Sequence, residues 1–292
     1  MPRRHSTLAM RSPSQIMRLM ARETRLRSGP VPRTMGGEAI PDSARRFGGG
    51  QFVLRTGTGF AFHYVPGEGV AVERSAAADP AEQELWLKGS VYAAVACLNG
   101  LYPIHASAVA WQGRVHAFTG PSGAGKSTLV AELGQRGLPM FCDDTLLLSL
   151  DDPARLIALP GHKRLKLTDA ALGLSGARAI GPVGSDTGKS YAEPPGGDFR
   201  EPGELASLTF LEQGAAAVLE PITGARRFAR LEDEHYTQAL YLEAQAPTNA
   251  ALFALRARLA GQLALAQLIR PFSAEGFAKS ADLAETAIRT FA

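Results

Sequence analysis

The chain of 292 residues is 45% hydrophobic and 20% charged, values of a globular protein long enough to bury a sizeable core. Its net charge of +3 is uneven: ten Arg against Glu23, Glu38 and Asp42 give residues 1–46 a charge of +7 and leave −4 for the rest, so the folded part is not marked as a nucleic-acid binder. Only Cys97 and Cys142 are present, both inside apolar runs, and no long apolar stretch follows Arg3 and Arg4, so we expect a cytoplasmic protein with reduced core thiols and no signal peptide.

Residues 1–46 read as a basic tail rich in Arg, Pro, Ser and Gly. It is either a disordered leader or a basic amphipathic helix that grips an acidic partner. The helix reading rests on Ile16, Leu19, Met20 and Leu26 with Arg18, Arg22 and Arg25 between them. The texture changes at Phe47. Segments 51–55, 59–65 and 70–74 alternate as short strands separated by Gly-rich turns, a small β meander. Asp79 and Pro80 supply an N-cap and a first helical proline. The helix after them carries Leu85, Trp86, Val91, Val95 and Leu98 and stops at Asn99-Gly100.

Segments 104–111 and 114–119 read as strands joined by Gln112-Gly113, a two-residue hairpin turn. Pairing down that ladder sets His105 opposite Gly120. Gly120-Pro-Ser-Gly-Ala-Gly-Lys-Ser127 then fills the pattern G-x-x-x-x-G-K-[ST] at every fixed position. A strand before it and a helix after it are the context a phosphate-binding loop requires. Gly123 and Gly125 let successive N–H groups turn toward phosphate oxygens, and the helix N-terminus adds roughly half a positive charge. The residues expected to hold nucleotide are Gly120, Pro121, Ser122, Gly123, Ala124, Gly125, Lys126, Ser127 and Thr128. Lys126 belongs on the terminal phosphates and Ser127 on Mg²⁺, with ATP as the expected donor.

Segment 138–142 reads as the next strand, reached by a β–α–β connection and parallel to the strand before the loop. A helix of about ten residues rises roughly 15 Å, and a strand of about five returns roughly 16 Å. Asp143 and Asp144 therefore come level with the loop on the carboxyl edge, where ligands bind in such sheets. Adjacent carboxylates in an extended chain point to opposite sides, one toward the phosphates and the other toward His105. For His105 itself a structural and a functional reading both stand.

Segments 145–150 and 156–158 form a second hairpin around Asp151-Asp152-Pro153. Lys163, Arg164 and Lys166 come next as a cluster that either neutralises phosphate or lies on a solvated strand face. Residues 173–203 are too long for an ordinary connection and read as a lid whose Lys189 closes on nucleotide or substrate. Gly188-Lys-Ser190 is not a second phosphate loop, because Val183 stands where the pattern requires glycine. Segments 205–212 and 216–221 read as a further strand pair, with helices near 225–231, 234–241, 248–269 and 279–292. The third of these carries Arg256, Arg258, Gln262 and Gln267. It is an amphipathic helix with a core stripe at 252, 255, 259, 263 and 266, not a membrane span.

His105 in Ile104-His-Ala-Ser-Ala-Val109, the hairpin, the phosphate loop, Arg136-Gly137 and Asp143-Asp144 together resemble the catalytic domain of HPr kinase/phosphorylase. The resemblance is close over 104–150 and looser to about 230. The expected fold is α/β: a P-loop kinase core with a mixed sheet, a hairpin feeding the loop and a β–α–β unit leading to the Asp pair. A β meander precedes the core and C-terminal helices come after it. Residues 47–292 would form that domain, with the meander and helix in 47–100, the nucleotide-binding core in 101–230 and a helical part in 231–292. The resemblance implies a kinase acting on a serine hydroxyl of a protein or peptide, with Asp143 as general base and Asp144 linked to His105 or to metal. It is also compatible with a homo-oligomer.

The glycine- and arginine-containing stretch associated with HPr recognition and dephosphorylation is not found. The chain is thus more similar to divergent HPr-kinase-related proteins, some of which tailor ribosomal peptides such as lasso-peptide precursors. No Asn-Lys-x-Asp motif is present, which argues against a switch GTPase, and Ala177 breaks the ABC-type signature after Leu174-Ser-Gly176. A small-molecule kinase and a non-catalytic nucleotide-binding regulator stand as alternatives, because the loop does not report the acceptor. No membrane or nucleic-acid partner is expected.

Overall fold

The computed structural model describes residues 10–184, 187–232 and 236–290. Parts of the expected tail, of the lid and of two expected helices lie outside the described residues: 1–9, 185–186, 234–235 and 291–292.

Residues 10–46 are not a loose tail. Helix α1 (Pro13–Glu23) starts on a capping box, in which the Gln15 N–H donates to the Ser12 hydroxyl and the Ser12 N–H donates to the Gln15 side chain. Its apolar face buries Ile16 and Met20 against the meander and the helix behind it, so this face is covered by the chain itself. Burial opposes the charge of Glu23. The Gly67 N–H, the Tyr64 hydroxyl and Arg22 outweigh it and hold the carboxyl below the usual range. Arginine-rich composition masked three turns of well-capped helix.

Short strands β1 (Leu26–Arg27), β2 (Thr34–Met35) and β3 (Glu38–Ala39) lead into the first sheet. There β4 (Ala44–Gly48), β5 (Gln51–Arg55), β6 (Phe60–Val65) and β7 (Gly69–Arg74) run as an antiparallel meander, with β1 parallel to β7 at one edge. Alternation sorts its faces. Phe52, Leu54, Phe60, Phe62 and Tyr64 join one cluster, while Val53, Ala61 and Ala71 join another. A bent helix comes next as α2 (Glu82–Trp86), a π-helical turn (Leu87–Val91) and α3 (Tyr92–Leu98), with the kink at Gly89.

The central sheet has nine strands: β8 (Leu101–Ile104), β9 (Ala106–Trp111), β10 (Arg114–Thr119), β11 (Met140–Cys142), β12 (Leu146–Ser149), β13 (Ile157–Leu159), β17 (Gly203–Gln213), β18 (Val218–Pro221) and β19 (Ala264–Arg270). Its main path runs β11-β9-β10-β17-β13-β12-β8, and β19 lies on β17 with β18 outside it. The expected strand 104–111 breaks at His105. One residue separates β8, at one end of that path, from β9, near the other, so the sheet curls until its ends meet at His105. The β9–β10 register runs from Trp111↔Arg114 to Ala106↔Thr119, through a turn in which Gln112 (φ 48) and Gly113 (φ 77) are both left-handed. β11 is antiparallel to β9 and so parallel to β10, with β9 between them.

Helix α4 (Lys126–Gln135) leads out of the phosphate loop. Its Leu129, Val130 and Leu133 pack with Val109 and Phe118 on one face of the sheet. Each such side chain contributes roughly 1.5–3 kcal/mol on burial. Ala106, Ala108, Ala110, Val115 and Ala117 face the other side, onto Leu255 and Leu259. A three-stranded sheet of β14 (Leu165–Leu167), β15 (Ala179–Pro182) and β16 (Ser190–Ala192) stands beside α5 (Asp169–Ser175). The segment expected as a lid over 173–203 thus contains the end of α5 and the strands β15 and β16. The last helices are α6 (Arg226–Arg230), α7 (Tyr236–Gln245), α8 (Asn249–Gln262) and α9 (Ala274–Thr290).

Two expectations fail in this last region. The helix over 248–269 stops at Gln262, and residues 264–270 form β19, inserted parallel to β17 and antiparallel to β18. The expected pair 205–212 and 216–221 consequently does not pair with itself. Leu265 and Leu268 continue an apolar spacing that suits either element, and the open edge of β17 decides for a strand. The architecture is α/β with a mixed sheet, a meander before it and helices after it.

Candidate active site

The phosphate loop leaves β10 at Thr119 and enters α4 at Lys126. Gly125 is the N-cap of α4 at φ 83, and no side chain caps the helix there, so its first N–H groups are free for an anion. Lys126 folds over the loop and donates to the carbonyls of Gly120 (2.9 Å) and Pro121 (3.1 Å). Burial lowers its pKa although Asp143 and Asp144 pull the other way.

The loop forms one wall of a cavity of about 410 Å³. His105, Ser107, Asp143, Asp144, Lys166 and Lys189 line it together with Ser122, Gly123 and Gly125–Thr128, and Leu85, Leu167, Ala171 and Val183 contribute apolar surface. β10 and β11 are parallel and end at the same edge, which is why the loop and the Asp pair meet.

The two carboxylates do point apart. Asp143 is 4% exposed. Its Oδ1 accepts from the hydroxyls of Ser127 (2.8 Å) and Ser107 (2.5 Å), and its Oδ2 accepts from the Lys166 N–H (3.2 Å). Burial, with Asp144 adding like charge, raises its pKa. Asp144 stands at φ 70, a left-handed conformation that strains a non-glycine residue. Its Oδ2 accepts from Lys166 Nζ at 2.8 Å, and its Oδ1 lies 3.5 Å from His105 Nδ1. The same Nδ1 is 2.9 Å from the Asp144 carbonyl, which can only accept, so Nδ1 carries the proton. Burial opposes the charge on Asp144, but Lys166 and His105 outweigh it and keep the carboxyl below the usual range. Lys166 is also buried, yet the two carboxylates raise its pKa. Thr119 Oγ1 donates to the His105 carbonyl at 2.9 Å, tying the seam of the sheet to the end of β10.

Not every expected residue arrives. Lys163 turns away from the cavity and donates to the carbonyls of Phe141 and Phe199, and burial lowers its pKa to about 8. Arg164 reaches Glu84 at 2.9 Å and the Tyr191 ring. Both precede β14; within that strand Leu165 and Leu167 pack into the core, and of the three cations Lys166 alone is on the cavity wall. Ser107 joins the site without any motif to announce it, although it sits two residues after His105 in an extended segment and so shares its face.

Ser127 Oγ and Asp143 Oδ1 are hard oxygen donors side by side. This set suits Mg²⁺, which takes few protein oxygens and fills its octahedron with phosphate and water. It does not suit a soft metal.

No family model matches the chain, and no curated protein matches it. Among solved structures, the HPr(Ser) kinase/phosphatase from Coxiella burnetii is similar at 14% identity and a TM-score of 0.32, over 65% of this chain and 99% of that one. So slight a likeness carries no argument, and the site is read from its own geometry. Among the described residues no helix is long and apolar enough to cross a membrane.

Proposed function

We propose that the protein is a kinase that transfers the γ-phosphoryl group of ATP to a hydroxyl, that of a serine in a protein or peptide. The observation that carries this reading is the pairing of Ser127 with Asp143 while a second carboxylate, Asp144, is kept ionised in the same cavity. Binding a triphosphate needs only the loop and its cations. A second, partly buried negative charge repels phosphate, and holding it there in a strained backbone conformation is unfavourable unless the chemistry uses it. A proton acceptor for an attacking hydroxyl is such a use.

In this mechanism the loop N–H groups and Lys126 neutralise the β- and γ-phosphates, and Ser127 with Asp143 holds Mg²⁺. Held by these two residues, Mg²⁺ would supply positive charge against the charge that develops on the phosphates. The acceptor oxygen attacks the γ-phosphorus in line. Its new P–O bond forms as the bond to the β–γ bridging oxygen breaks, ADP leaves with that electron pair, and the hydroxyl proton passes to Asp144. His105 fixes the Asp144 backbone, and Lys166 holds its carboxylate charged. This assignment exchanges the roles that family resemblance gave to the two aspartates, because the loop hydroxyl lies against Asp143.

Serine on a ribosomal peptide precursor in the cytoplasm is the acceptor class we favour, with Lys189 on the cavity wall available to it. Incubation with Mg-ATP and peptides encoded by neighbouring genes should produce a phosphoryl mass gain, and Asp144→Asn should lose it by at least about 100-fold while still binding Mg-ATP. A gain on a metabolite and on no peptide would make it a small-molecule kinase. Binding with no transfer to any acceptor would make it a nucleotide sensor.

A further inference from the structure

The last residue of β19, Arg270, ends directly under the phosphate loop. Its side chain is buried, its Nη2 donates to the carbonyl of Ala124 at 2.6 Å, and its Nε is buried without a partner among the described residues. Phe277 of α9 lies against the guanidinium, 5.6 Å from ring centre to Cζ. The guanidinium also fills the space that a side chain at position 125 would need: a Cβ there would lie 2.3 Å from Nη2. Gly125 is thus required twice over, by this approach and by its φ of 83.

In a planar trans peptide the carbonyl of one residue and the N–H of the next point in opposite directions. A carbonyl of Ala124 drawn down to Arg270 therefore turns the N–H of Gly125 up, toward the cavity that Gly125 and Lys126 line. Gly123 and Gly125 are both left-handed and lack side chains, so the intervening peptides have freedom to rotate. A rotated Ala124–Gly125 peptide would aim an oxygen at the phosphates. Arg270 supplies the fixed donor that prevents this, and its always-charged, planar group is held flat by Phe277.

We infer that Arg270 is a positioning residue for nucleotide binding, which sets the direction of the Gly125 N–H by holding the carbonyl of Ala124. The inference rests on the phosphate-binding reading of the cavity and concerns binding alone, so its test needs no acceptor. Calorimetric titration of the full chain with Mg-ATP should show at least tenfold weaker binding for Arg270→Met. Arg270→Lys should recover part of the loss, because its ammonium can donate to the same carbonyl. A merely structural arginine would lower the unfolding temperature and leave affinity unchanged, so Mg-ATP binding within twofold of wild type in Arg270→Met overturns the inference. If Arg270→Met does not fold, Phe277→Leu decides. That variant keeps the guanidinium and loses its support, two- to fivefold weaker binding is expected, and unchanged affinity overturns the inference. Wild-type protein that does not bind Mg-ATP removes the underlying reading itself, a result distinct from either.

Discussion

Replacing Asp143 by Asn separates what this residue does for function from what it does for the fold. Burial and the neighbouring Asp144 raise the Asp143 pKa, so folding carries a penalty for its charged form. A neutral isostere removes that penalty, and replacing a buried ion pair by uncharged groups of similar volume stabilises by roughly 1–4 kcal/mol in favourable cases. The contacts set the deduction. Asn keeps an acceptor for Ser107 and Ser127, but its amide then faces the Lys166 N–H, donor against donor, at a cost of about 1 kcal/mol. The net expectation is a gain of up to about 3 kcal/mol, or up to roughly 12 °C in Tm for a chain of this size. A carboxyl with a raised folded pKa gives up stability as pH rises through the window above its unfolded value, so the advantage of Asn should grow as pH rises above about 4 and vanish below it. Calorimetric scans at pH 7 and pH 4 measure it. In parallel, the tightening of ATP binding by Mg²⁺ should disappear. A lower Tm at pH 7 together with an intact Mg²⁺ effect would refute both the electrostatic argument and the placement of Asp143 on the ion.

Ile16 is fully buried under the meander, so Ile16→Ala should cost about 2–4 kcal/mol, read as a shift in urea midpoint, with Mg-ATP affinity unchanged. Burial, then Arg114, lowers the pKa of His116 to about 4. The unfolded chain takes up a proton below about pH 6.5 that the folded one refuses, so stability should fall on acidification, by about 2 kcal/mol at pH 5 from this residue. Comparing urea midpoints at pH 7 and pH 5 in wild type and His116→Asn checks it, the drop being smaller in the variant. Lys166→Met and Lys163→Met make a contrasting pair. The first should reduce transfer by about 10- to 100-fold, a rise of about 1.4–2.7 kcal/mol in the barrier. The second should lower the unfolding temperature with transfer per folded molecule unchanged.

The amino-acid sequence by itself determined the features whose causes are local. Glycines and Lys126 at fixed spacing build a phosphate loop wherever a strand precedes them and a helix succeeds them. Gln112-Gly113 permits two successive left-handed residues, which sets the hairpin register as far as Ala106 opposite Thr119. The count of residues from Lys126 to Cys142 returns the Asp pair to the loop. Only the tertiary structure decided the rest, because it depends on partners distant in the chain. The hydrogen bond of Ser127 chooses between two adjacent carboxylates that look alike in sequence. The free edge of β17 turns residues 264–270 into a strand and thereby carries Arg270 beneath the loop. The contacts of Lys163 with Phe141 and Phe199 take it out of the site, and the face of the meander buries Ile16. In each case the local pattern allowed more than one outcome, and an unsatisfied donor, acceptor or apolar surface elsewhere in the fold selected among them.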